Sequence, residues 1–287
     1  MTKKITTGAA AVLALFVLVF LISSLPILIV AKKNGIELQW HSALTACLDY
    51  LKGLGSGDSF IYTYGKNEHH FLSEAWTYAG VSLSYIVTAV VLGIWLSVIA
   101  SVMILRWRLR LLQEGILLLS VLPDFVIIVM LQLFAVYLHR QFGIHIAIAS
   151  FGHTKAVLLP VLSITIVPFL YLLRQLMVSM QQIVSEDFIM VAKAKGIGRT
   201  RIYFDHVVPN LLPALRAELP KLIGIIFSSL FIIEYLYNLS GITRLLFQKG
   251  AQFSLIANGL FVLFGMYVCV YGVGRFSIWG LKKLTTK

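Results

Sequence analysis

The chain of 287 residues is 59% hydrophobic and only 13% charged, and its mean hydropathy is +0.89. An ordinary soluble domain carries roughly 25% charged residues, so this composition excludes that class and indicates a polytopic membrane protein. The formal net charge of +12 would suggest nucleic-acid binding in a soluble chain, but Lys and Arg also collect in cytoplasmic loops of membrane proteins, so no nucleic-acid partner is expected.

Six apolar stretches are long enough to cross a bilayer, which takes roughly 20 residues each. They predict an all-α integral membrane protein with a single transmembrane domain over residues 1–287. Because most Lys and Arg residues fall on one side when the N-terminus is inside, the positive-inside rule favours cytoplasmic N- and C-termini. The predicted spans are residues 9–30, 77–104, 112–138, 156–178, 217–238 and 254–278.

The predicted external segment, residues 31–76, holds apolar side chains at helical spacing from Trp40 to Leu51. Such an amphipathic stretch is expected to form a helix that lies on the outer membrane surface. Further along, His69 and His70 are adjacent, and adjacent residues do not share a helix face. A wet loop is therefore favoured over a metal site for this pair.

Motifs for catalysis or metal binding are absent from the sequence. It contains no phosphate-binding GxxxxGKS or GxxxxGKT, no GxSxG and no HExxH. Cys47 and Cys269 are too far apart to form a CxxC site, and His139, His145 and His153 have no carboxylate or cysteine at metal-ligand spacing. We expect neither catalytic residues nor a metal site.

Asp124 and Glu234 fall within predicted spans, where a charge at the helix centre costs about 3 kcal/mol. Asp124 follows Pro123 at a depth of roughly 20 Å along the third span. In the slightly favoured interpretation the helix is kinked, and the Asp is satisfied by a neighbouring polar group or is protonated. In the other interpretation it lines a wet pathway and meets a cationic part of a transported solute. Glu234, beside Tyr235 and Tyr237 near the outer end of the fifth span, is an interface anchor or part of an external gate.

A polar segment, residues 185–213, interrupts the apolar runs and begins with a predicted short helix. Ser185 is the expected N-cap, Lys195 ends the helix, and Gly196 is expected to take the left-handed conformation after it. Acidic residues lie at the positive end of the helix dipole and basic residues at the negative end. These charged residues are Glu186, Asp187, Lys193 and Lys195.

A second short amphipathic stretch, residues 202–208, follows this glycine, and Pro209 and Pro213 are expected to stop it. The segment therefore predicts a helix, a glycine elbow and a second helix. Its charge alone leaves two interpretations open, a solvated cytoplasmic loop or an element that docks on a soluble partner.

The segment resembles the cytoplasmic loop signature of binding-protein-dependent ABC importers, because Gly196 and Pro209 keep the spacing of its glycine and proline. AKAKGI and HVVPNLLP, together with YLKGLGSGD at 50–58 and IIEYLYNLSGITRLLF at 232–247, are similar to the oligopeptide, dipeptide and nickel permease subfamily, of the first permease subunit type. The similarity covers most of the chain. A departure is Met190, which stands where the general signature has Glu.

The resemblance implies a MetI-like transmembrane domain in the cell membrane of a prokaryote, with the polar segment as a coupling helix lodged in a cytoplasmic ATPase. It also implies a second homologous permease subunit, two ATP-binding subunits that hold ATP and Mg²⁺, and an extracellular solute-binding protein. The chain itself would be a non-enzymatic transport subunit in the lipid bilayer, without a cofactor of its own.

The cargo implied by the resemblance is a peptide or peptide-like solute, with nickel or a metallophore as the alternative. A self-sufficient secondary transporter is less favoured, because such proteins pair their intramembrane charges and carry internal repeats. The implied docking contact is Phe188, Ile189 and Ala192. The remaining implied coupling residues are Glu186, Asp187, the polar rim Lys193, Lys195, Arg199 and Arg201, the elbow Gly196, and Pro209.

Overall fold

Helices dominate the structure, a computed structural model, and its strands form two short antiparallel hairpins. The predicted all-α class is confirmed. His145 and His153, for which no metal site was expected, lie outside the described residues. The described residues are 2–32, 35–107, 109–144, 156–248 and 252–285.

The chain divides into two compact units. The first unit comprises Met1–Val81 and Ser240–Met266, and the second comprises Ser82–Leu239 and Tyr267–Lys287.

An amphipathic helix and two hairpins follow the first long helix of the first unit. The amphipathic helix confirms the helix predicted from Trp40 onward, and Gly57, at φ 92°, ends it. Within the hairpins Ile29 pairs with Leu38 and Ile61 pairs with His70. The elements are α1 (Thr2–Leu28), β1 (Ile29–Lys32), β2 (Gly35–Leu38), α2 (Trp40–Ser56), a 3₁₀ turn (Asp58–Phe60), β3 (Ile61–Tyr64) and β4 (Asn67–His70).

A closed set of hydrogen bonds ties α2 to a C-terminal helix within the first unit. Tyr50 Oη donates to Asn258 Oδ1 (2.6 Å), Asn258 Nδ2 donates to the Ser59 carbonyl (2.7 Å), and Ser59 Oγ donates to the Tyr50 carbonyl (2.5 Å). The rings of Phe20 and Phe253 pack against Tyr50 at centroid distances of 5.7 and 5.5 Å. Burial raises the pKa of the Tyr50 hydroxyl, which keeps it a donor at neutral pH.

His69 and His70 lie in strand β4, so the expected wet loop is wrong. His69 Nδ1 is 2.7 Å from Glu74 Oε1, and Tyr62 Oη donates to Glu74 Oε2 at 2.5 Å. The His69 ring also stacks on Tyr62, with 5.4 Å between centroids. A carboxylate five residues along the chain, which sequence spacing did not single out, thus orders the first histidine, and burial and the bond to Glu74 raise the pKa of Tyr62.

The second unit is built on long helices, of which the packed pair formed by the sixth and ninth is central to the site. Its elements are the greater part of α3 (Phe71–Trp107), which enters this unit at Ser82, then α4 (Arg110–Leu119), α5 (Asp124–Phe142), α6 (Leu158–Val184), α7 (Asp187–Ala194), α8 (Arg199–Arg201), a π-helical segment (Ile202–Val207) and α9 (Val208–Leu236). Two further helices complete the chain, α10 (Ile242–Gln248) and α11 (Phe253–Thr285).

Five helices among the described residues are long and apolar enough to cross a membrane. The apolar part of α1, Val12–Leu28, is shorter than these, so the first predicted span, residues 9–30, stays a prediction. The five helices are Phe71–Trp107, Asp124–Phe142, Leu158–Val184, Arg199–Leu236 and Phe253–Thr285.

The third predicted span, 112–138, is not one helix, because the chain breaks between α4 and α5. Pro123 adopts an extended backbone (φ −61°, ψ 146°) and caps α5. Proline lacks an N–H for the helix ladder and disfavours helical geometry in the residue before it. Asp124 consequently begins a helix, and the predicted depth of roughly 20 Å within a continuous span is wrong.

Pro209 and Pro213 do not stop the second helix of the polar segment, contrary to the prediction. The chain stays helical from Arg199 to Leu236, passing through the π-helical segment directly before α9. Pro209 directly follows the π-helical segment, and a local π adjustment is one way in which a continuous membrane helix accommodates proline. Packing of α9 on α6 compensates for the hydrogen bond that Pro213 removes further along.

We expect Tyr50→Phe to destabilise the first unit by about 1–3 kcal/mol, because Asn258 Oδ1 would lose its buried donor. The thermal unfolding midpoint of the purified protein in detergent should fall by several degrees. Tyr235→Phe is the matched control, because 71% of the Tyr235 side chain is exposed. Equal midpoints for the two variants would contradict the hydrogen-bond argument.

Candidate functional site

The N-terminus of α7 is set by Glu186, not by Ser185 as predicted. Ser185 has helical backbone angles (φ −87°, ψ −6°) and its Oγ donates to the Gln182 carbonyl at 2.7 Å, so it ends α6. Glu186 has the extended backbone that an N-cap requires (φ −71°, ψ 150°). The carboxylates of Glu186 and Asp187 still lie at the positive end of the helix dipole.

The C-terminus of α7 confirms the predicted left-handed glycine. Gly196 has φ +72°, its N–H donates to the Lys193 carbonyl (3.0 Å), and the Ile197 N–H donates to the Ala192 carbonyl (3.2 Å). This pair of bonds is a Schellman motif, which satisfies carbonyls that a helix end otherwise leaves open. The turn fixes the direction in which the chain leaves α7.

The two sides of α7 differ in exposure, which corrects part of the predicted docking contact. Ile189 (0% exposed) and Ala192 (5%) are buried within the chain, where α7 packs on the π-helical segment. Phe188, Met190 and Val191 are 44–54% exposed. The buried pair therefore anchors the helix, and an apolar face remains open to a partner.

Cations surround that open face. Lys193, Lys195, Arg199 and Arg201 are exposed. Arg201 Nε lies 3.1 Å from Asp205 Oδ2, but this exposed pair contributes at most a few tenths of a kcal/mol. The other three cations have no ion-pair partner among the described residues. Pro209, the remaining predicted coupling residue, is half-buried at the start of α9.

A cavity of about 420 Å³ lies between the ends of α4 and α5 and the facing sides of α6 and α9. Its lining contains Asp124, Tyr171, Arg174 and Lys221 among apolar side chains. Arg174 and Lys221 were not among the predicted site residues, although both fall inside predicted spans. A cation within an apolar span was the signal available for them.

Asp124 occupies one end of this cavity, and its carboxylate Oδ2 accepts a hydrogen bond from Ser229 Oγ at 2.7 Å. The favoured prediction, a neighbouring polar group that satisfies the acid, is confirmed by Ser229. The alternative, a lining residue of a wet pathway, is compatible with the same geometry, because the carboxylate also faces the cavity.

Glu234 is buried, with 2% of its surface exposed, so the predicted interface anchor is wrong. Its Oε1 accepts a hydrogen bond from Ser82 Oγ at 2.5 Å, which ties α9 to α3. Tyr237, three residues on, is also buried and shares a 2.6 Å hydrogen bond with Ser163 of α6. The gate function stays a prediction for a residue that joins helices at this end of α9.

These features define a multi-pass membrane component with an amphipathic helix presented between two long packed helices. Residues 89–279 match the family described as binding-protein-dependent transport system inner membrane component. The match spans most of the chain, which belongs to this family, and the predicted resemblance is confirmed.

Individual relatives are permeases. The chain is 31% identical over 229 residues to the oligopeptide transport system permease protein OppB of Escherichia coli K12, covering 76% of this chain and 72% of that protein. It is 30% identical over 233 residues to OppB of Haemophilus influenzae, covering 77% and 73%. It is 28% identical over 171 residues to the dipeptide transport system permease protein DppB of Bacillus subtilis, covering 57% and 52%.

We expect Gly196→Val to loosen the end of α7, because a β-branched residue at φ +72° costs about 1–3 kcal/mol. Trypsin should then cleave the purified protein faster after Lys193 and Lys195. Gly198→Val is the control, because Gly198 has φ −61° and a Cβ there meets no atom within 4 Å. Unchanged cleavage in the Gly196 variant would refute the role of the turn.

Proposed function

We propose that the chain is one membrane permease subunit of an ABC importer for peptides, powered by separate ATPase subunits. Family membership and the oligopeptide and dipeptide names of the relatives support this proposal. Those names favour peptides over nickel or a metallophore as cargo. Membership in a binding-protein-dependent family likewise disfavours a self-sufficient secondary transporter.

The observation that carries the proposal is the two-sided helix α7. One side is fixed to the chain through Ile189 and Ala192, and the other presents Phe188, Met190 and Val191. An interface core of exposed apolar side chains with a charged rim is what a stable protein partner recognises. We assign α7 as the coupling helix, with an ATPase groove as its partner and acidic residues expected around that groove.

Force transmission follows from how α7 is anchored. The helix joins α6 through a single turn and rests on the π-helical segment that leads into α9. A displacement of α7 by closing ATPase subunits would therefore move both long helices together. Such a movement is a rigid-body switch between two accessible states of the pathway, and ATP and Mg²⁺ stay in the partner subunits.

The complete transporter would contain a second related permease, two ATP-binding subunits and an extracellular binding protein. The termini of this chain and α7 would share the cytoplasmic side, where the ATPase subunits have access to ATP. This orientation agrees with the positive-inside distribution of Lys and Arg.

Val191→Asp should reduce co-purification of the ATPase subunits by at least about tenfold, because it buries an unpaired charge in the contact. Val191 is 52% exposed, so the permease itself should insert and fold normally. Leu284→Asp is the control, because it adds the same charge at an apolar residue that is 66% exposed. Wild-type co-purification with Val191→Asp would exclude this face as the docking site.

By contrast, Ala192→Asp should destabilise the permease itself rather than its contact with the ATPase subunits. Ala192 is 5% exposed, so a carboxylate there would be buried against the π-helical segment and would destabilise α7. The comparison separates the docking face from the anchoring face: only the Ala192 variant should increase tryptic cleavage of the isolated subunit.

A further inference from the structure

The cavity beside α6 and α9 has the size and the polarity of a small-molecule site. Its volume of about 420 Å³ falls in the usual range of roughly 300–1,000 Å³. Ionisable side chains among membrane helices are costly and are found where they line water-filled cavities or contact substrates. The three charged residues of this lining, Asp124, Arg174 and Lys221, therefore indicate an occupant that carries charge.

Positive charge collects at the end of the cavity nearer α7. Arg174 on α6 has no hydrogen-bond or ion-pair partner among the described residues. Lys221 Nζ lies 4.9 Å from the centroid of the Tyr171 ring, and the Tyr171 hydroxyl donates to Glu218. No salt bridge within the described part of the chain neutralises either cation, and a carboxylate would complement both.

Negative charge lies at the other end of the cavity, on Asp124. The Ser229 hydroxyl takes up one hydrogen bond of the Asp124 carboxylate, which can accept about four in all. An ammonium group in the cavity could donate hydrogen bonds to the remaining acceptor positions of this carboxylate. The opposite ends of one cavity thus suit opposite charges.

The distance between the two ends matches a short peptide. Lys221 and Ser229 are eight residues apart on α9, which is roughly 12 Å along the helix axis. An extended peptide spans at most about 3.3–3.6 Å per residue, so three or four residues cover that distance.

We propose that this cavity is a transient binding site that holds a short peptide by its two termini. The carboxylate lies at Arg174 and Lys221, toward α7, and the ammonium lies at Asp124. Because the site recognises the two termini and does not discriminate between side chains, it accepts peptides of varied sequence. The inference rests on the proposed peptide transport and adds to it a site, an orientation and the groups that are recognised.

Binding of radiolabelled Ala-Ala-Ala tests the site in the purified complex of permease and ATPase subunits in nanodiscs, without the binding protein. We expect the free tripeptide to bind at least about tenfold tighter than its N-acetylated or C-amidated form, because each blocked form loses a charged contact. Equal binding of all three forms, or no binding of the free form, would overturn the inference without requiring any variant.

Variants of the three charged residues test which end of the cavity binds which terminus of the peptide. Arg174→Gln with Lys221→Gln should remove the preference for the free carboxylate and leave the preference for the free ammonium, and Asp124→Asn should do the reverse. Arg216→Gln, which removes an exposed cation of α9 outside the cavity lining, should keep both preferences. Loss of both preferences in every variant would instead indicate a general structural effect and reject the assignment.

Uptake of the same tripeptide by the full transporter with its binding protein separates the two proposals. Uptake without terminus-dependent binding in the nanodisc complex would retain peptide transport and refute the cavity site. Absence of tripeptide uptake would refute the proposed function itself.

Discussion

The packing of α6 against α9 supports both features on which transport would depend. Both helices carry fully buried apolar side chains, among them Leu172, Leu176, Leu222 and Ile226, and α7 lies between them in the chain. Helix α7 inherits a fixed position from that pair, because only short connections join it to either helix. The charged cavity lies along the same pair. The coupling surface and the two cations of the cavity are therefore carried by the same helix pair.

The sequence predicted the presence of the coupling element better than its orientation. End charges, the glycine and its spacing to Pro209 located α7 and its left-handed turn. They did not indicate which side is buried, because five consecutive residues from Phe188 to Ala192 are apolar and place hydrophobic groups around most of the helix. Tertiary packing, in which α7 contacts the neighbouring π-helical segment, leaves Ile189 and Ala192 buried. Local periodicity cannot supply that tertiary information.

The prolines likewise show that the local sequence does not determine where a helix ends. Most predicted spans correspond to observed helices because a long apolar run has few alternatives in lipid. Pro123 nevertheless breaks its span, whereas Pro209 and Pro213 are accommodated in a continuous helix. Pro209 follows the π-helical segment, and α9 packs on α6, whereas a turn separates α5 from the helix before it. Whether proline ends a helix thus depends on packing that a single sequence does not encode in its local pattern.

The cavity connects these observations to mechanism. Its cations lie on α6 and α9, the helices that α7 would move, whereas Asp124 lies at the start of α5. Arg174 is ten residues before the end of α6, roughly 15 Å from the coupling helix. A shift of the α6 and α9 pair relative to α5 would change the separation of the positive and negative ends. A peptide held at both termini would then fit one state better than the other, and a ligand with such differential affinity is what couples binding to a conformational switch. Under the proposed mechanism, the break at Pro123 would let α5 and Asp124 stay in place while the turn at Gly196 passes the movement of α7 to the α6 and α9 pair.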